Sequence, residues 1–279
     1  MPKITINVLD AHSDQSTQAI GLLVPQAITT GHQTFAGLKI AGVGPSQCIT
    51  EKTSGQKAVF LTDLPTNLVL NYTFEGTGRQ DRPDDYAHFK NRYTRASPQL
   101  RDEIDDLIDD DNLRTAQRIV RHTASLFDYG HPDEKFNDGH DDVPVIACGT
   151  AKGSCVDINT YLISALGVAS IPTVYFAGYF FPQERDGLTN DMHCWVATWI
   201  NGAWLEWDIA HHMKMGLSAD DIRPAYNPKP GRRLAMTYGR GLTFDINTTE
   251  VILSHLSEPR WVFANGDTQT ARIEARLIG

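Results

Sequence analysis

The sequence lacks several features that would place it in familiar classes of protein. No apolar run approaches the roughly 20 residues that a membrane-spanning helix needs. The first residues, MPKITINVLD, contain neither an extended apolar stretch nor a small-residue cleavage site, so we expect no secretory signal. The chain has 25 Lys and Arg against 34 Asp and Glu and shows no basic stripe. We therefore expect neither a nucleic-acid partner nor a membrane partner.

Cysteine is also scarce. The four cysteines are Cys48, Cys148, Cys155 and Cys194, and their spacing does not form a disulfide framework. Free thiols and no secretory signal favour a reducing compartment, so the expected location is the cytoplasm. The 279 residues are 41% hydrophobic and 21% charged, which is ordinary for a globular protein of one or two domains.

The most informative stretch is residues 193–210, which read HCWVATWINGAWLEWDIA. Asn201-Gly202 lies between two apolar runs and predicts a two-residue hairpin turn, because both residues tolerate positive φ. The turn fixes the strand register, and side chains alternate between faces, so His193 and Asp208 become diagonal neighbours on one face. An imidazole with a carboxylate behind it is half of a nucleophilic triad.

A nucleophile that could complete the triad lies upstream. Gly153-Ser154-Cys155 precedes VDINTYLISALGV, whose apolar spacing predicts a helix that Gly167 ends in the left-handed conformation. Cys155 then lies at the helix N-terminus, where the backbone dipole and a nearby imidazole lower the pKa of the thiol. We expect no cofactor and no metal at this site. The predicted catalytic residues are Cys155, His193 and Asp208.

Four pieces of sequence occur in an order that resembles the catalytic core of the transglutaminase-like superfamily. They are G-S-C at 153–155, I-P-T-V-Y-F-A-G-Y at 171–179, H-x-W-V at 193–196 and W-x-x-x-D at 204–208. The resemblance covers roughly residues 95–245 and implies an α+β fold with a papain-like core, in which helices pack on an antiparallel sheet. It also implies acyl transfer through a cysteine thioester, with a peptide or protein amide as the substrate.

Several reactions are compatible with this resemblance. We favour a cysteine peptidase or amidase that hydrolyses an amide bond; the alternatives are a protein-glutamine transamidase and a non-catalytic binding module on the same fold. A metal-dependent hydrolase is a further alternative. Two departures from the family matter for substrate contacts. Gly239-Arg240-Gly241 stands where relatives often carry G-R-D, and Val174-Tyr175 stands where an Arg is common.

The rest of the chain suggests three parts. Residues 1–80 consist of short apolar runs broken by turn residues, which predicts a small β-sandwich. Residues 81–96 are polar and are predicted to be a linker. Residues 97–279 are the predicted catalytic core with C-terminal strands. Within this core, helices are expected to begin at Ser97-Pro98 and near Asn112, and the long loop at 130–152 is expected to border the site.

Other candidate ligands are assigned ordinary roles. The acidic run from Asp105 to Asp111 is interpreted as a solvated helix face and helix end, and His131 and His140 as exposed loop histidines. A zinc site is an alternative for a further set of residues, but the spacing of these candidate ligands fits no zinc pattern. That candidate set consists of Cys148, Cys155, His193, Cys194 and His211.

The surroundings of the triad give further expectations. Cys194 should point to the strand face opposite His193 and serve for packing. Trp195 and Trp204 should share the face of His193, where they could line a substrate cleft. The backbone N–H of Cys155 is the expected first oxyanion donor. Candidates for the second donor are Tyr129 and Asn137, both in or beside the loop that precedes Cys155.

Overall fold

The fold is that of a computed structural model, which describes residues 2–11, 18–42, 46–64, 67–76 and 78–279. Helices and antiparallel sheets occur in separate stretches of these residues, so the predicted α+β class is confirmed. The helices are α1 (Pro98–Asp105), α2 (Asn112–Ser125), α3 (Cys155–Val168) and α4 (Ile209–Lys214). The strands are β1 (Lys3–Val8), β2 (Gly21–Pro25), β3 (Thr34–Ile40), β4 (Ser46–Thr50), β5 (Lys57–Leu61), β6 (Leu68–Glu75), β7 (Phe127–Tyr129), β8 (Ala151–Gly153), β9 (Thr173–Pro182), β10 (Leu188–Thr189), β11 (Met192–Ile200), β12 (Ala203–Trp207), β13 (Gly231–Tyr238), β14 (Leu242–Ile246), β15 (Thr249–Leu253), β16 (Arg260–Val262), β17 (Thr268–Thr270) and β18 (Ile273–Ile278).

The chain forms two compact units, and both are discontinuous in sequence. Unit 1 consists of Met1–Asp81, Ala177–Met192 and Pro230–Gly279, and unit 2 consists of Arg82–Phe176 and His193–Lys229. The sequence analysis instead divided the chain into consecutive segments. The C-terminal strands, which it assigned to the catalytic core, lie in unit 1 because they pair with strands from the beginning of the chain.

Unit 1 contains the β-sandwich. Its two five-stranded sheets have the orders β10-β18-β1-β6-β3 and β17-β16-β2-β5-β4. The first strand lies between the last strand and β6, with Lys3 opposite both Ile278 and Thr73. Alternating apolar residues of β6 point into the core, as the period-two pattern predicts. Buried residues from both sheets form one cluster, which includes Ile4, Ile6, Leu22, Val24, Leu61, Leu70, Tyr72, Phe74, Trp261 and Ala275.

Unit 2 is organised around α3, which packs against α1, α2 and α4. One side of α3 is apolar and fully buried, at Ile158, Leu162 and Leu166. The hairpin of β11 and β12 and the first residues of β9 also belong to this unit. A short parallel pair, β7 with β8, returns the chain to the position from which α3 starts.

The starts of the first two helices follow the sequence signals. Ser97 Oγ accepts a hydrogen bond from Leu100 N (3.2 Å), and Asp111 Oδ1 accepts one from Leu113 N (2.7 Å). Asp111, the last residue of the acidic run, therefore caps the start of α2. The end of α3 differs from the prediction. The helix continues through Gly167 to Val168, and the residue with positive φ is Ser170 (φ 55°).

The loops and connections were predicted less well than the helices. Neither strand β13 nor helix α4 was predicted from the sequence. Helix α4 was missed because Ile209, Ala210, His211 and His212 are all buried, so no amphipathic period is visible. Within the described ranges, no helix is long and apolar enough to cross a bilayer.

Candidate active site

The hairpin has the register that its turn residues predicted. Asn201 and Gly202 have φ values of 54° and 79°, as a type I′ turn requires, and Trp199 pairs with Trp204. Strand β12 ends at Trp207, and the next residue, Asp208, caps α4. The prediction of a tight turn with this register is confirmed.

His193 and Asp208 meet as their register implied. His193 Nε2 lies 2.8 Å from Asp208 Oδ2, and both side chains are buried. The other carboxylate oxygen of Asp208, Oδ1, accepts a hydrogen bond from His211 N (3.1 Å). Because the carboxylate is held by both the helix start and the imidazole, its position is fixed relative to the hairpin.

A second histidine, which the sequence analysis did not assign to the triad, completes this arrangement. The ring of His211 stacks on His193 with a centroid distance of 3.9 Å and an interplanar angle of 10°. Its Nδ1 lies 2.9 Å from Asp208 Oδ2, and the residue is buried. The signal that could have revealed it is the spacing Asp-x-x-His, which places a histidine beside its own helix cap.

Cys155 is the first residue of α3, as predicted. Asp157 Oδ2 accepts hydrogen bonds from Ser154 N (2.8 Å) and Ser154 Oγ (2.7 Å), and these bonds fix the start of the helix. Gly153 is required by packing. A Cβ at this position would lie 2.6 Å from Cδ1 of Phe127. In the G-S-C motif, Gly153 allows the close approach of Phe127, Ser154 caps the helix and Cys155 supplies a buried thiol.

The surroundings of Cys155 favour its thiolate. Hydrogen bonding by the Cys194 thiol is the largest cause, and it outweighs the burial that opposes ionisation. Hydrogen bonding and charge from His193, and the backbone N–H of Cys194, act in the same direction. Together they hold the pKa of Cys155 well below its ordinary value of 9.0.

The neighbouring groups take complementary charges. Burial alone would lower the pKa of His193, but the charge and hydrogen bond of Asp208 and the contact with Cys155 raise it to about 9. Burial likewise opposes ionisation of Asp208, yet His193 and His211 hold its pKa well below 3.8. Burial lowers the pKa of His211 to about 4. At neutral pH the site thus holds a thiolate, an imidazolium, a carboxylate and a neutral imidazole.

Cys194 has a contact that the sequence did not predict. It is fully buried, as a packing residue would be, but it also contacts Cys155 through its thiol and its backbone N–H. The Cys155 sulfur therefore interacts with both His193 and Cys194 of β11.

One group of side chains has the composition of a metal site. The candidate ligand atoms of His193, Asp208 and His211 lie within 4.8 Å of one another. The two imidazoles stack nearly parallel, with ring centroids 3.9 Å apart. His193 Nε2 forms a charge-assisted hydrogen bond of 2.8 Å with Asp208 Oδ2, and His211 Nδ1 lies 2.9 Å from the same oxygen. These residues therefore fit a proton-holding network better than a tetrahedral zinc centre.

The residues predicted to line the substrate cleft or to donate to the oxyanion have different neighbours in the structure. Trp195 stacks near His193 with a centroid distance of 6.2 Å, and Trp204 packs edge-on against Tyr86 at 5.6 Å. Their role in a substrate cleft stays a prediction. Asn137 is buried and its backbone carbonyl accepts a hydrogen bond from Arg92, whereas the hydroxyl of Tyr129 lies 3.3 Å from His131 Nε2. Both stay candidates for the second oxyanion donor.

The family comparison agrees with the sequence motifs. Residues 98–209 match the family model of the transglutaminase-like superfamily. A cysteine on a helix start, with a histidine and an aspartate on the following hairpin, is the arrangement found within the matched residues. The resemblance seen in the sequence is therefore confirmed over residues 98–209.

One solved structure shares the fold, and a second shows a weaker likeness. A protein from Cytophaga hutchinsonii, described as a putative cysteine protease, matches 100% of this chain and 90% of its own, with 15% identity and a TM-score of 0.52. The periplasmic domain of TgpA from Pseudomonas aeruginosa matches 78% of this chain and 90% of its own, with 16% identity and a TM-score of 0.38. No curated protein sequence matches the chain. At these identities the likeness concerns the fold alone.

Proposed function

We propose that the protein is a cysteine-dependent acyl-transfer enzyme that hydrolyses an amide or peptide bond. The observation that carries the proposal is the buried chain of contacts from Cys155 to His193 to Asp208, with a histidine whose pKa is raised and a cysteine whose pKa is lowered. Such a chain is the arrangement that activates a cysteine nucleophile. The transglutaminase-like core supports the same class of reaction.

In the proposed mechanism, the Cys155 thiolate attacks the carbonyl carbon of the amide. Negative charge develops on the carbonyl oxygen, and the backbone N–H of Cys155 at the start of α3 is the proposed first donor to it. His193 then gives its proton to the departing amine, which leaves a thioester on Cys155. Asp208 keeps the His193 ring oriented and stabilises its cationic form.

Water is the proposed acceptor for the thioester. Neutral His193, formed after the amine departs, takes a proton from that water, and the hydroxide attacks the thioester carbonyl. The carboxylic acid product is released and the Cys155–His193 ion pair returns. An amine that attacks in place of water would give transamidation, which is the alternative outcome of the same intermediate.

His211 is proposed to act as a positioning residue. Because its pKa is lowered to about 4, it stays neutral at the pH where His193 is cationic, so two stacked positive rings are avoided. Its contact with Asp208 limits the movement of the carboxylate. The ring also occupies the space beside His193 that water would otherwise fill.

The cytoplasmic location is retained as part of the proposal. All four cysteines lie in described residues and are free, with Cys155 and Cys194 buried together at the site. Free thiols are the normal state of cysteine in a reducing compartment.

The test is an analysis of the products that form from a mixture of peptides. Together these peptides contain backbone amides, side-chain amides and varied neighbouring side chains. The wild-type protein is expected to generate new peptide termini or side-chain carboxylates, and Cys155→Ala and His193→Ala are expected to lose this activity. A biotinylated primary amine added to a parallel reaction measures transamidation. Incorporation of that amine without hydrolysis would favour the alternative, and equal product from wild type and Cys155→Ala would contradict the whole proposal.

A further inference from the structure

A second cysteine lies at the site but has no step in the proposed mechanism. Asn159 follows Cys155 by one helical turn on the same face of α3. Its Nδ2 lies 3.4 Å from Sγ of Cys194 and 3.0 Å from the carbonyl oxygen of Cys194. Cys194 on β11 therefore packs against the face of α3 that begins with Cys155. Both cysteines are buried, with exposed fractions of 5% for Cys155 and 0% for Cys194.

The pKa values of the two thiols are shifted in opposite directions. His193 and the donors on Cys194 lower the pKa of Cys155, whereas burial and the neighbouring Cys155 thiolate raise the pKa of Cys194. One sulfur is thus a nucleophile at neutral pH and the other keeps its proton. Thiolates react with peroxides, and a protonated thiol does so poorly. The first oxidation is therefore directed to Cys155.

We propose that Cys194 is the resolving thiol for Cys155, so that a peroxide converts the pair into an intramolecular disulfide and reversibly inactivates the enzyme. The proposal rests on the proposed function, because it uses the same reactive thiolate. Its chemistry differs from amide hydrolysis, since the co-reactant is a hydroperoxide and no acyl group is transferred. It assigns a role to a residue that the mechanism leaves unused.

The oxidation proceeds in two steps. The Cys155 thiolate attacks one oxygen of hydrogen peroxide, the O–O bond breaks, and Cys155 sulfenic acid and hydroxide form. The sulfur of Cys194 then attacks the sulfur of the sulfenic acid; the S–O bond breaks, and the proton of the Cys194 thiol leaves with the hydroxyl group as water. Peroxide is reduced by two electrons and the two sulfurs are oxidised together by two. A dithiol such as dithiothreitol reverses the change.

The sequence allows a direct measurement of this bond. Trypsin cleaves after Lys152, Arg185 and Lys214, so Cys155 and Cys194 fall in the separate peptides 153–185 and 186–214. Cys148 falls in the peptide that ends at Lys152, and Cys48 falls in the one that ends at Lys52. Each cysteine is therefore identified by its own peptide, and each pairing by its own cross-linked mass.

The experiment treats the native full-length protein with hydrogen peroxide, traps free thiols with N-ethylmaleimide in acid and maps the peptides by mass spectrometry. The wild type is expected to give the 153–185/186–214 cross-link and to lose its reactivity towards iodoacetamide at Cys155. Dithiothreitol is expected to restore both the separate peptides and that reactivity. Cys148→Ser is the matched control, because it removes an exposed thiol and should leave the cross-link unchanged.

The second part of the experiment replaces the resolving thiol, Cys194. In Cys194→Ser, peroxide is expected to leave Cys155 as a sulfenic acid that dimedone captures, followed by sulfinic acid that dithiothreitol does not reverse. Cys194→Ala also removes the hydrogen bond that favours the Cys155 thiolate, so Cys155 should oxidise more slowly in this variant but to the same sulfenic and sulfinic acids. Native folding of both variants is checked by circular dichroism before oxidation.

Two results would overturn the proposal. One is wild-type protein in which Cys155 is over-oxidised at the same rate as in Cys194→Ser, with no cross-link. The other is a cross-link from Cys155 to the Cys148 peptide in place of Cys194. Neither readout depends on a substrate. A Cys155–Cys194 cross-link in a protein with no amide hydrolysis would therefore remove the proposed function alone, and hydrolysis without a cross-link would remove this proposal alone.

Discussion

Asp208 is the residue on which the charges of the site depend. Its carboxylate contacts the rings of His193 and His211 and also caps α4 through His211 N. Without a negative charge at this position, burial would dominate the ionisation of His193. The ion pair between Cys155 and His193 would then be less stable.

Replacing Asp208 with Asn tests this dependence. The amide keeps the size of the side chain but removes its charge, so the pKa of His193 should fall from about 9 towards 6.5 or below. Activity should fall on the order of 10³-fold or more, as in other triads in which Asp is replaced by Asn. The pKa is measured by NMR titration of the histidine ring, with His193→Ala providing the assignment. A His193 pKa that stays near 9 in Asp208→Asn would contradict this account of the site.

His211 predicts a pH dependence of stability. Its pKa is 6.5 in the unfolded chain but about 4 in the folded protein, so only the unfolded state takes up this proton between those values. Stability from this residue is present above pH 6.5 and is lost as the pH falls towards 4. Between pH 7 and pH 5 the loss should be about 2 kcal/mol. His211→Phe should remove this loss because it cannot be protonated.

The measurement compares urea unfolding of wild type and His211→Phe at both pH values. The free energy of unfolding of wild type should exceed that of His211→Phe by less at pH 5 than at pH 7, or should fall below it. His140→Phe, on the exposed loop, is the control for a general effect of removing a histidine. If the two proteins differed in free energy of unfolding by the same amount at pH 7 and pH 5, His211 would not be buried in its neutral form.

At the scale of elements, the hairpin of β11 and β12 determines where His193 and Asp208 lie. A two-residue turn leaves no freedom of register, and a slip of one residue would move every side chain of one strand to the other face. The helix α3 has the corresponding role for Cys155. The site is thus formed where a helix start meets the beginning of one strand and the end of another.

The turn can be tested with two glycines that differ in conformation. Gly202 has a φ of 79°, so Gly202→Ala should destabilise the protein by about 1 kcal/mol or more and lower the reactivity of Cys155. Gly167 lies within α3 and has open space where a Cβ would be. Gly167→Ala should therefore be neutral or stabilising by up to about 1 kcal/mol. Thermal unfolding measures both, and equal effects of the two substitutions would contradict the turn geometry.

At the scale of the whole molecule, the chain returns to its beginning. Strand β18 pairs with β1 over six residues, and Ala275 lies opposite Ile6 in the buried core of unit 1. The edge of β1 would be unpaired without this strand. The sandwich of unit 1 therefore depends on both ends of the described chain.

A truncation tests this dependence. A chain that ends at Arg272 lacks β18 and exposes apolar residues of β1, so it should lose cooperative thermal unfolding or fail to accumulate in soluble form. A chain that ends at Leu277 is the control, because Ile278 is 50% exposed and contributes little burial. Similar melting of the two truncated chains would show that β18 is dispensable.

The part of this structure that the sequence predicted is local. Asn201 and Gly202 fix their turn by their own conformational preferences, and Ser97, Asp111 and Ser154 lie at helix starts that such residues favour. The juxtaposition of Cys155 with the hairpin required the family resemblance, because no local rule brings a helix to a strand that begins nearly forty residues later.

The part that the sequence did not predict depends on tertiary contacts. Cys194 is adjacent to His193 along its strand and was expected to point away from it, yet its thiol and its backbone N–H both donate hydrogen bonds to Cys155. His211 has no periodic signal because its neighbours in α4 are all buried. The pairing of β18 with β1 joins residues that are 265 (Val8 and Ile273) to 275 (Lys3 and Ile278) positions apart. The alternating pattern of β1 is equally compatible with pairing to other strands.

The central claim is that Cys155 and His193 form a thiolate–imidazolium pair, and alkylation by iodoacetamide measures it most directly. The rate is followed for each cysteine peptide from pH 4 to pH 9 in wild type and His193→Ala. Cys155 should react faster than exposed Cys48 and Cys148 at pH 6 and lose this advantage in His193→Ala, while buried Cys194 stays unlabelled. Its rate should fall only at acid pH, where the thiolate is protonated. A Cys155 rate that rises with pH in parallel with Cys48 and Cys148, and is unchanged by His193→Ala, would contradict the claim.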